Sequence, residues 1–194
     1  MEGSLRRLAP LLLACAFTLA AQEKALDLDP ARTKIDFSVD TTLHRVHGSF
    51  RLKRGSIRFD PESGKASGEI VVDVASADTG SGARDRRMHK AVLESDRYPD
   101  AVFTPDSISG VLKPEGESEV DVHGMLQIDG GSHEITLHVM ASMKAGEITA
   151  TTRTTIPYQR WGMKNPSTLL LRVAGHVEVE IHLTGRLDVQ GASR

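Results

Sequence analysis

Four side chains with metal-binding donors, His176, Glu178, Glu180 and His182, stand at every second position near the end of the chain. On an extended strand that spacing projects all four from one face, and imidazole with carboxylate is a donor set that suits zinc or copper. Same-face neighbours on one strand lie about 6 to 7 Å apart, however, so four in line cannot reach a single ion. The row therefore reads as a water-facing wall, with a metal site as the competing reading. His44-x-x-His47, and His133 with His138, read as surface histidines able to tune a pH response. A second group, Arg84, Arg86, Arg87, His89, Lys90 and Arg97, crowds one segment. It is either a solvated helix face or a contact for anionic lipid surfaces or a pyrophosphate head group. Arg84-Asp85 within it can equally serve as a structural ion pair. Hydrolytic chemistry has no local signature here: the chain contains no Gly-x-Ser-x-Gly elbow, no zinc-protease helix motif and no phosphate-cradling glycine loop. A triad assembled across strands would leave none, so this bears only on the local motifs.

The elements that carry these residues are set by a period of two. Val120, Val122, Leu126 and Ile128 fall on one side of a segment and Glu119, Asp121, His123 and Gln127 on the other. The pattern returns through Ile135, Leu137 and Val139, then Leu169, Leu171 and Val173, then Val177, Val179, Ile181 and Leu183. Earlier, Ile35, Phe37 and Val39 alternate with polar residues, followed by Gly48, Phe50 and Leu52, then Ile57 and Phe59, and then Ala66, Gly68, Ile70, Val72 and Val74. The inward glycines, Gly48 and Gly68, leave room inside or permit a bend. Short strands are predicted around Ala101–Phe103 and Ile108–Leu112, and Ile148–Ile156 places Thr152 and Thr154 inward. Asp129-Gly130-Gly131-Ser132 and Lys144-Ala145-Gly146 are tight hairpin signals. Between Asp78 and Tyr98 the alternation stops, and Met88, Ala91 and Val92 fall at helical spacing, which predicts a helix of about three turns. Strands with one apolar face each must close around a common interior as a sandwich or a barrel.

The N-terminus carries Arg6 and Arg7, a short apolar run, and small residues up to Ala21. These are the three parts of a secretory signal over residues 1–21, too short an apolar run for a comfortable membrane span. The chain is thus expected to be periplasmic or secreted. Leu12-Leu13-Ala14-Cys15 also resembles a lipobox, in which Cys15 would be lipidated. Cleavage after Ala21 explains the whole segment and leaves a mature domain without cysteine, excluding disulfides. It moves the formal charge from -2 to about -3, which argues against general nucleic-acid binding. No composition break suggests more than one domain.

Several of these blocks resemble the YceI-like polyisoprenoid-binding proteins along nearly the entire mature chain, over residues 26–189. They are Leu28-Asp29-Pro30 with Ile35-x-Phe37-x-Val39, Gly48-x-Phe50, and Gly55-x-Ile57-x-Phe59-Asp60-Pro61. Asp78-Thr79-Gly80, Arg84-Asp85 and Tyr98-Pro99-x-Ala101-x-Phe103 follow, then Val122-x-Gly124-x-Leu126-x-Ile128-x-Gly130 and Trp161-Gly162. Two positions depart from the pattern: Arg32-Thr33 stands where a His-Ser pair is common, and Met88 to Glu94 lacks the usual aromatic. The resemblance implies a mainly β, lipocalin-like antiparallel barrel with one short helical segment. It further implies a guest held without turnover, a quinone-like tail or other polyisoprenoid lipid, and no enzymatic activity or cofactor.

The expected lining is then Phe37 and Val39, Phe50 and Leu52, Ile70 and Val72, Val122 and Leu126, Leu137 and Val139, and Val179 and Ile181. Trp161, with Tyr158 and Met163, either caps the mouth or seals one barrel end. Burying one methylene is worth about 0.8 kcal/mol, so a few enclosed isoprene units would suffice for useful affinity. A wall strand of about nine residues spans roughly 30 Å, so a long polyprenyl tail must bend or protrude. The same alternation also fits a solid, ligand-free interaction or stress-response module.

Overall fold

The alternating segments form nine strands and one helix in the computed structural model, which describes residues 23–189. The strands are β1 (Lys24–Leu28), β2 (Lys34–Asp40), β3 (Arg45–Phe59), β4 (Ala66–Asp78), β5 (Asp100–Gly110), β6 (Gly116–Ile128), β7 (Gly131–Lys144), β8 (Glu147–Ile156) and β9 (Val177–Val189). The helix α1 (Gly82–Ala91) lies between β4 and β5. Each strand from β2 to β9 pairs antiparallel with the next, and β9 returns to β2. The result is a closed up-and-down barrel, which removes every sheet edge that could otherwise recruit another chain.

One stave is split. β1 pairs with the far halves of β3 and β9, through Leu26↔Ile57 and Leu26↔Leu187. β2 pairs with the near halves, through Phe37↔Gly48 and Phe37↔Val179. The two strands are collinear, joined by a turn at Asp29–Thr33 that is fastened back onto β9. Asp29 N–H donates to the Thr184 carbonyl at 2.8 Å, and Thr184 N–H reaches Thr33 Oγ1 at 3.4 Å. Here the Arg32-Thr33 departure finds its use: Arg32 makes a two-pronged pair with Glu147 at 2.6 and 2.9 Å, and Thr33 is buried.

The turns are those the sequence demands. Asp129-Gly130 and Ala145-Gly146 all take positive φ, the geometry of tight hairpins whose twist matches the strands. β3 changes parity partway, inward at Phe50 and then at Ile57 and Phe59, and register shifts at Ser49/Arg51 and Leu52/Arg54 absorb the extra residues.

Three expectations need correction. Leu169, Leu171 and Val173 do not form a strand, apart from a single bridge between Val173 and Thr41. Thr168 N–H bonds the Leu171 carbonyl at 2.7 Å, closing a local turn that withholds these backbone groups from a ladder. The two short strands around residues 101 and 110 are one strand, β5, which carries Pro105 beside a register shift at Pro105/Ser107, and Leu112 lies beyond its end. A proline fits there because a bulge has no ladder bond for it to break. Finally, the glycines do not enlarge the interior. A Cβ on Gly48 would collide with Phe37 Cζ, because the Phe37 ring already fills that space. Gly68 is exposed, has φ +111° and passes close to the Ser56 carbonyl. The signal segment and Cys15 lie outside the described residues.

The outward faces are polar. On β9 the His-Glu row is drawn into ion pairs, with Glu178 on Arg45 at 3.1 Å and Glu180 on Arg153 at 2.8 Å, while His182 contacts Glu180 at 3.2 Å. No group of three or more His, Cys, Asp or Glu among the described residues is arranged to hold a metal ion. His123 sits between Asp106 (2.7 Å) and Glu134 (3.0 Å). The Asp106 hydrogen bond, opposed by partial desolvation, raises its pKa above the ordinary imidazole value. This contact supports the fold while the ring is charged and fades as pH rises through the raised value. NMR titration should place the His123 midpoint above that of a free histidine, and Asp106→Asn should bring it back down.

Candidate functional site

Inward residues would normally be the most buried of a strand, yet exposure along the inner wall is graded. On β7, Ile135 and Leu137 are only half-buried whereas Val139, Ala141 and Met143 are buried. On β6, Val120 and Val122 are buried and Leu126 and Ile128 are not. The interior is therefore packed at one end and open toward the other, where α1 lies.

Eight strands enclose a space just wide enough to be filled by side chains or to hold one small guest. Which of these happens depends on side-chain size, and here Ala101, Ala141, Ala150 and Thr152 take inward positions. They leave an inner cavity of about 200 Å³ whose lining is hydrocarbon except for Thr152 and Thr154. Leu26, Leu112, Met143 and Leu187 pack at its closed floor. Toward α1 lies an outer chamber of about 550 Å³, within the range of about 300–1,000 Å³ typical of small-molecule sites. The two spaces share Phe50, Ile128, Ile156 and Val179, from four different strands, which form a neck between them.

The outer chamber is framed by the β2–β3 hairpin, α1, and the segment from Tyr158 to Val173. This frame is pinned at several points. Arg84 Nε and Asp85 Oδ1 both converge on Thr79, at 2.7 and 2.5 Å from its hydroxyl. They act through that shared residue and anchor the start of the helix to the end of β4. His89 bridges the Ser95 hydroxyl at 3.0 Å and the Ala77 carbonyl at 2.9 Å, so it belongs to the helix anchor and not to a basic surface. Met88, in the stretch lacking the usual aromatic, lines the chamber. Tyr158 is buried, its hydroxyl donates to the Ala174 carbonyl at 2.7 Å, and burial raises its pKa.

Of the residues singled out in the sequence, Phe50, Ile70, Val72, Val122, Leu126, Leu137, Val139, Val179 and Ile181 line the inner cavity. Phe37 and Val39 line the outer chamber together with Tyr158 and Met163. Leu52 is not on the cavity wall. It sits at the β3 register shift and packs against Leu28 and Ile35. Trp161 lines neither space: its ring stacks on His133 with centroids 4.0 Å apart and planes 4° from parallel. It packs against the core cluster that includes Val74, Leu93 and Tyr158, and His133, expected at the surface, is half-buried in phase with the inward Ile135 and Leu137. Ala101, Ala141 and Ala150 were missed as lining, although they stand in phase with the inward sets; their smallness is what keeps the barrel hollow.

Two buried side-chain oxygens have no hydrogen-bond partner among the described residues, Thr152 Oγ1 and Asp129 Oδ1. Burial, with Glu94 nearby, holds the Asp129 carboxyl above its ordinary value. Thr152 is 3% exposed and set in a hydrocarbon wall. An unpaired hydroxyl there carries a desolvation cost that valine, of the same shape, does not. Thr152→Val should therefore raise stability by about 1 kcal/mol in denaturant unfolding. An unchanged or lower midpoint would mean that the hydroxyl is satisfied.

The model of the YceI-like domain family matches residues 26–185. Among solved structures, BcnA of Burkholderia cenocepacia superposes with a TM-score of 0.67 at 22% identity, covering 81% of this chain and 99% of that one. A polyisoprenoid binding domain from Saccharophagus degradans superposes with a TM-score of 0.63 at 18% identity, covering 84% of this chain and 98% of that one. No curated protein matches the chain.

Proposed function

The chain belongs to the YceI-like family, and from that premise we propose that it holds a polyisoprenoid or similar long apolar chain in its barrel and does not transform it. The observation that carries this reading is a pair of adjoining, largely apolar spaces, the chamber beside α1 and the hydrocarbon cavity behind it, which meet at Phe50, Ile128, Ile156 and Val179. Such a shape suits a flexible tail threaded from one end. Its inner cavity offers only the Thr152 and Thr154 hydroxyls, which does not suit a compact, polar substrate. The structural neighbour described as a polyisoprenoid binding domain points the same way. Each enclosed isoprene unit of about five carbons would contribute roughly 3–4 kcal/mol before ordering costs, so occupancy of even part of the space gives measurable affinity.

Two finer parts of the reading go with it. The guest is a quinone-like or polyprenyl lipid, carried or stored, and residues 1–21 export the protein to the periplasm or beyond. Organic extraction of protein purified from its native compartment, followed by mass spectrometry, should release a prenyl lipid in near-stoichiometric amount. Protein that yields none, and that fails to take up an added polyprenol, would overturn the proposal. The mass of the mature N-terminus tests export through cleavage after Ala21 against lipidation at Cys15. Metal analysis of the same sample tests the His-Glu row.

A further inference from the structure

The mouth of the outer chamber carries an apolar edge that packing does not explain. Leu43 is 76% exposed, Leu169 103% and Leu170 93%, three of the five large hydrophobic side chains left exposed among the described residues. All three sit on one side of the mouth. Leu43 is at the tip of the β2–β3 hairpin, whose Thr41 Oγ1 accepts from Leu43 N–H at 3.3 Å and His44 N–H at 3.2 Å. The Leu169–Leu170 tip is tied to that hairpin through Thr42 N–H to the Arg172 carbonyl at 3.0 Å and the Thr41–Val173 bridge. Leu43 and Leu171 line the chamber itself, so its apolar surface reaches this edge.

The facing edge is cationic. Arg84 and Arg87 of α1 line the chamber, and among the described residues no carboxylate does. Arg87 reaches across to the Pro166 carbonyl at 3.0 Å, which joins the helix to the leucine-bearing loop. The acidic groups nearby are already engaged: Asp85 with Thr79, Asp40 with Arg45 at 2.7 Å, and Glu94 with Lys164 at 2.8 Å. Arg86, Lys90 and Arg172 are exposed beside them.

We propose that this rim docks on an anionic bilayer, with Leu43, Leu169 and Leu170 entering the acyl boundary and the arginines meeting lipid phosphates, so that the chamber opens directly onto the hydrocarbon. The inference rests on the lipid-holding reading and adds its route of loading. Either signal by itself gives weak, reversible attachment, and the pair is what makes binding firm. A basic residue at an anionic surface strengthens binding about fivefold, and a buried leucine by about tenfold or more.

The purified protein would be floated with vesicles of phosphatidylethanolamine and phosphatidylglycerol at 7:3, and with phosphatidylcholine alone. Binding is expected to the anionic vesicles, to fall with added salt, and to drop at least about tenfold in the Leu43→Ser/Leu169→Ser/Leu170→Ser variant. Arg87→Gln/Arg172→Gln should lose the salt-sensitive part only. The leucine variant should keep the wild-type melting temperature, since those side chains are exposed and make no core. Equal flotation of leucine variant and wild type, or no binding to anionic vesicles, overturns the docking proposal. A leucine-dependent dimer in sedimentation velocity would do the same, because a second copy would then cover the rim. If the wild type floats as described but releases no lipid on extraction, docking stands and the lipid-holding reading fails.

Discussion

Leu126→Asp is expected to abolish lipid retention and to cost about 2–5 kcal/mol of stability, the range of a large buried truncation with a charge added. Leu126 is on β6 opposite His133 of β7 and Phe103 of β5, and its side chain lines the inner cavity. An aspartate there is too short to carry its carboxylate to the mouth. Apart from His133 across the ladder it meets a wall of hydrocarbon, with Thr152 and Thr154 the polar side chains among the lining residues. Desolvation would push its pKa upward, so lipid retention and stability should both recover partly as pH falls and the carboxyl becomes neutral. Val179→Arg provides the contrast. Val179 lies in the neck, and a long guanidinium side chain can turn toward the outer chamber, so its stability loss should be smaller while lipid is still displaced. Extraction with mass spectrometry, paired with denaturant unfolding of each variant, reads both effects. A folded variant of either kind retaining wild-type lipid would refute the assignment of these residues to the lining.

The second large effect concerns a space that holds no ligand. Phe37 of β2 stands directly across from Gly48 of β3, and its ring lies where a Cβ on residue 48 would be. That Cβ would also come within 2.7 Å of the Asp78 carbonyl. The ring is held on its other side by Phe50, with centroids 4.9 Å apart and planes tilted 39°. Gly48→Ala should therefore destabilise the barrel by about 2–3 kcal/mol through overpacking. Phe37→Leu should cost less by itself, and in the Gly48→Ala background it should recover part of the loss. Chemical denaturation of the four proteins of this cycle should give a coupling on the order of 1 kcal/mol or more. Strict additivity would show that ring and glycine are independent. The Asp78 carbonyl, a backbone atom, cannot move aside, which is why the rescue stops short of complete.

Much of the barrel could be read from local pattern. The period of two placed Val120, Val122, Leu126, Leu137, Val139, Val179 and Ile181 on the inner face, because a strand has only two faces and one of them must be apolar. The positive-φ turns at Asp129-Gly130 and Ala145-Gly146 were legible from residue type, since few side chains tolerate that backbone. The helix was visible where alternation ceased, and the family was visible in the order of its blocks.

Other features had no local signal. Leu169, Leu171 and Val173 alternate as well as any wall strand, yet Ser167 and Thr168 close local turns around them, with Ser167 N–H on Asn165 Oδ1 at 2.9 Å, and their pairing is limited to the end of β2, through the Thr41–Val173 bridge. Gly48 looked like free volume until its partner across the ladder proved to be Phe37. Whether the interior is solid or hollow is a sum over eight strands in a fixed register. The neck shared by Phe50, Ile128, Ile156 and Val179, and the unpaired Thr152 hydroxyl, exist only once that register is set. Side-chain alternation is a property of each strand by itself, and so the sequence determined which face of each is apolar. Enclosed volume belongs to all the strands together, and so only the closed barrel decided where the apolar faces meet and where they leave room.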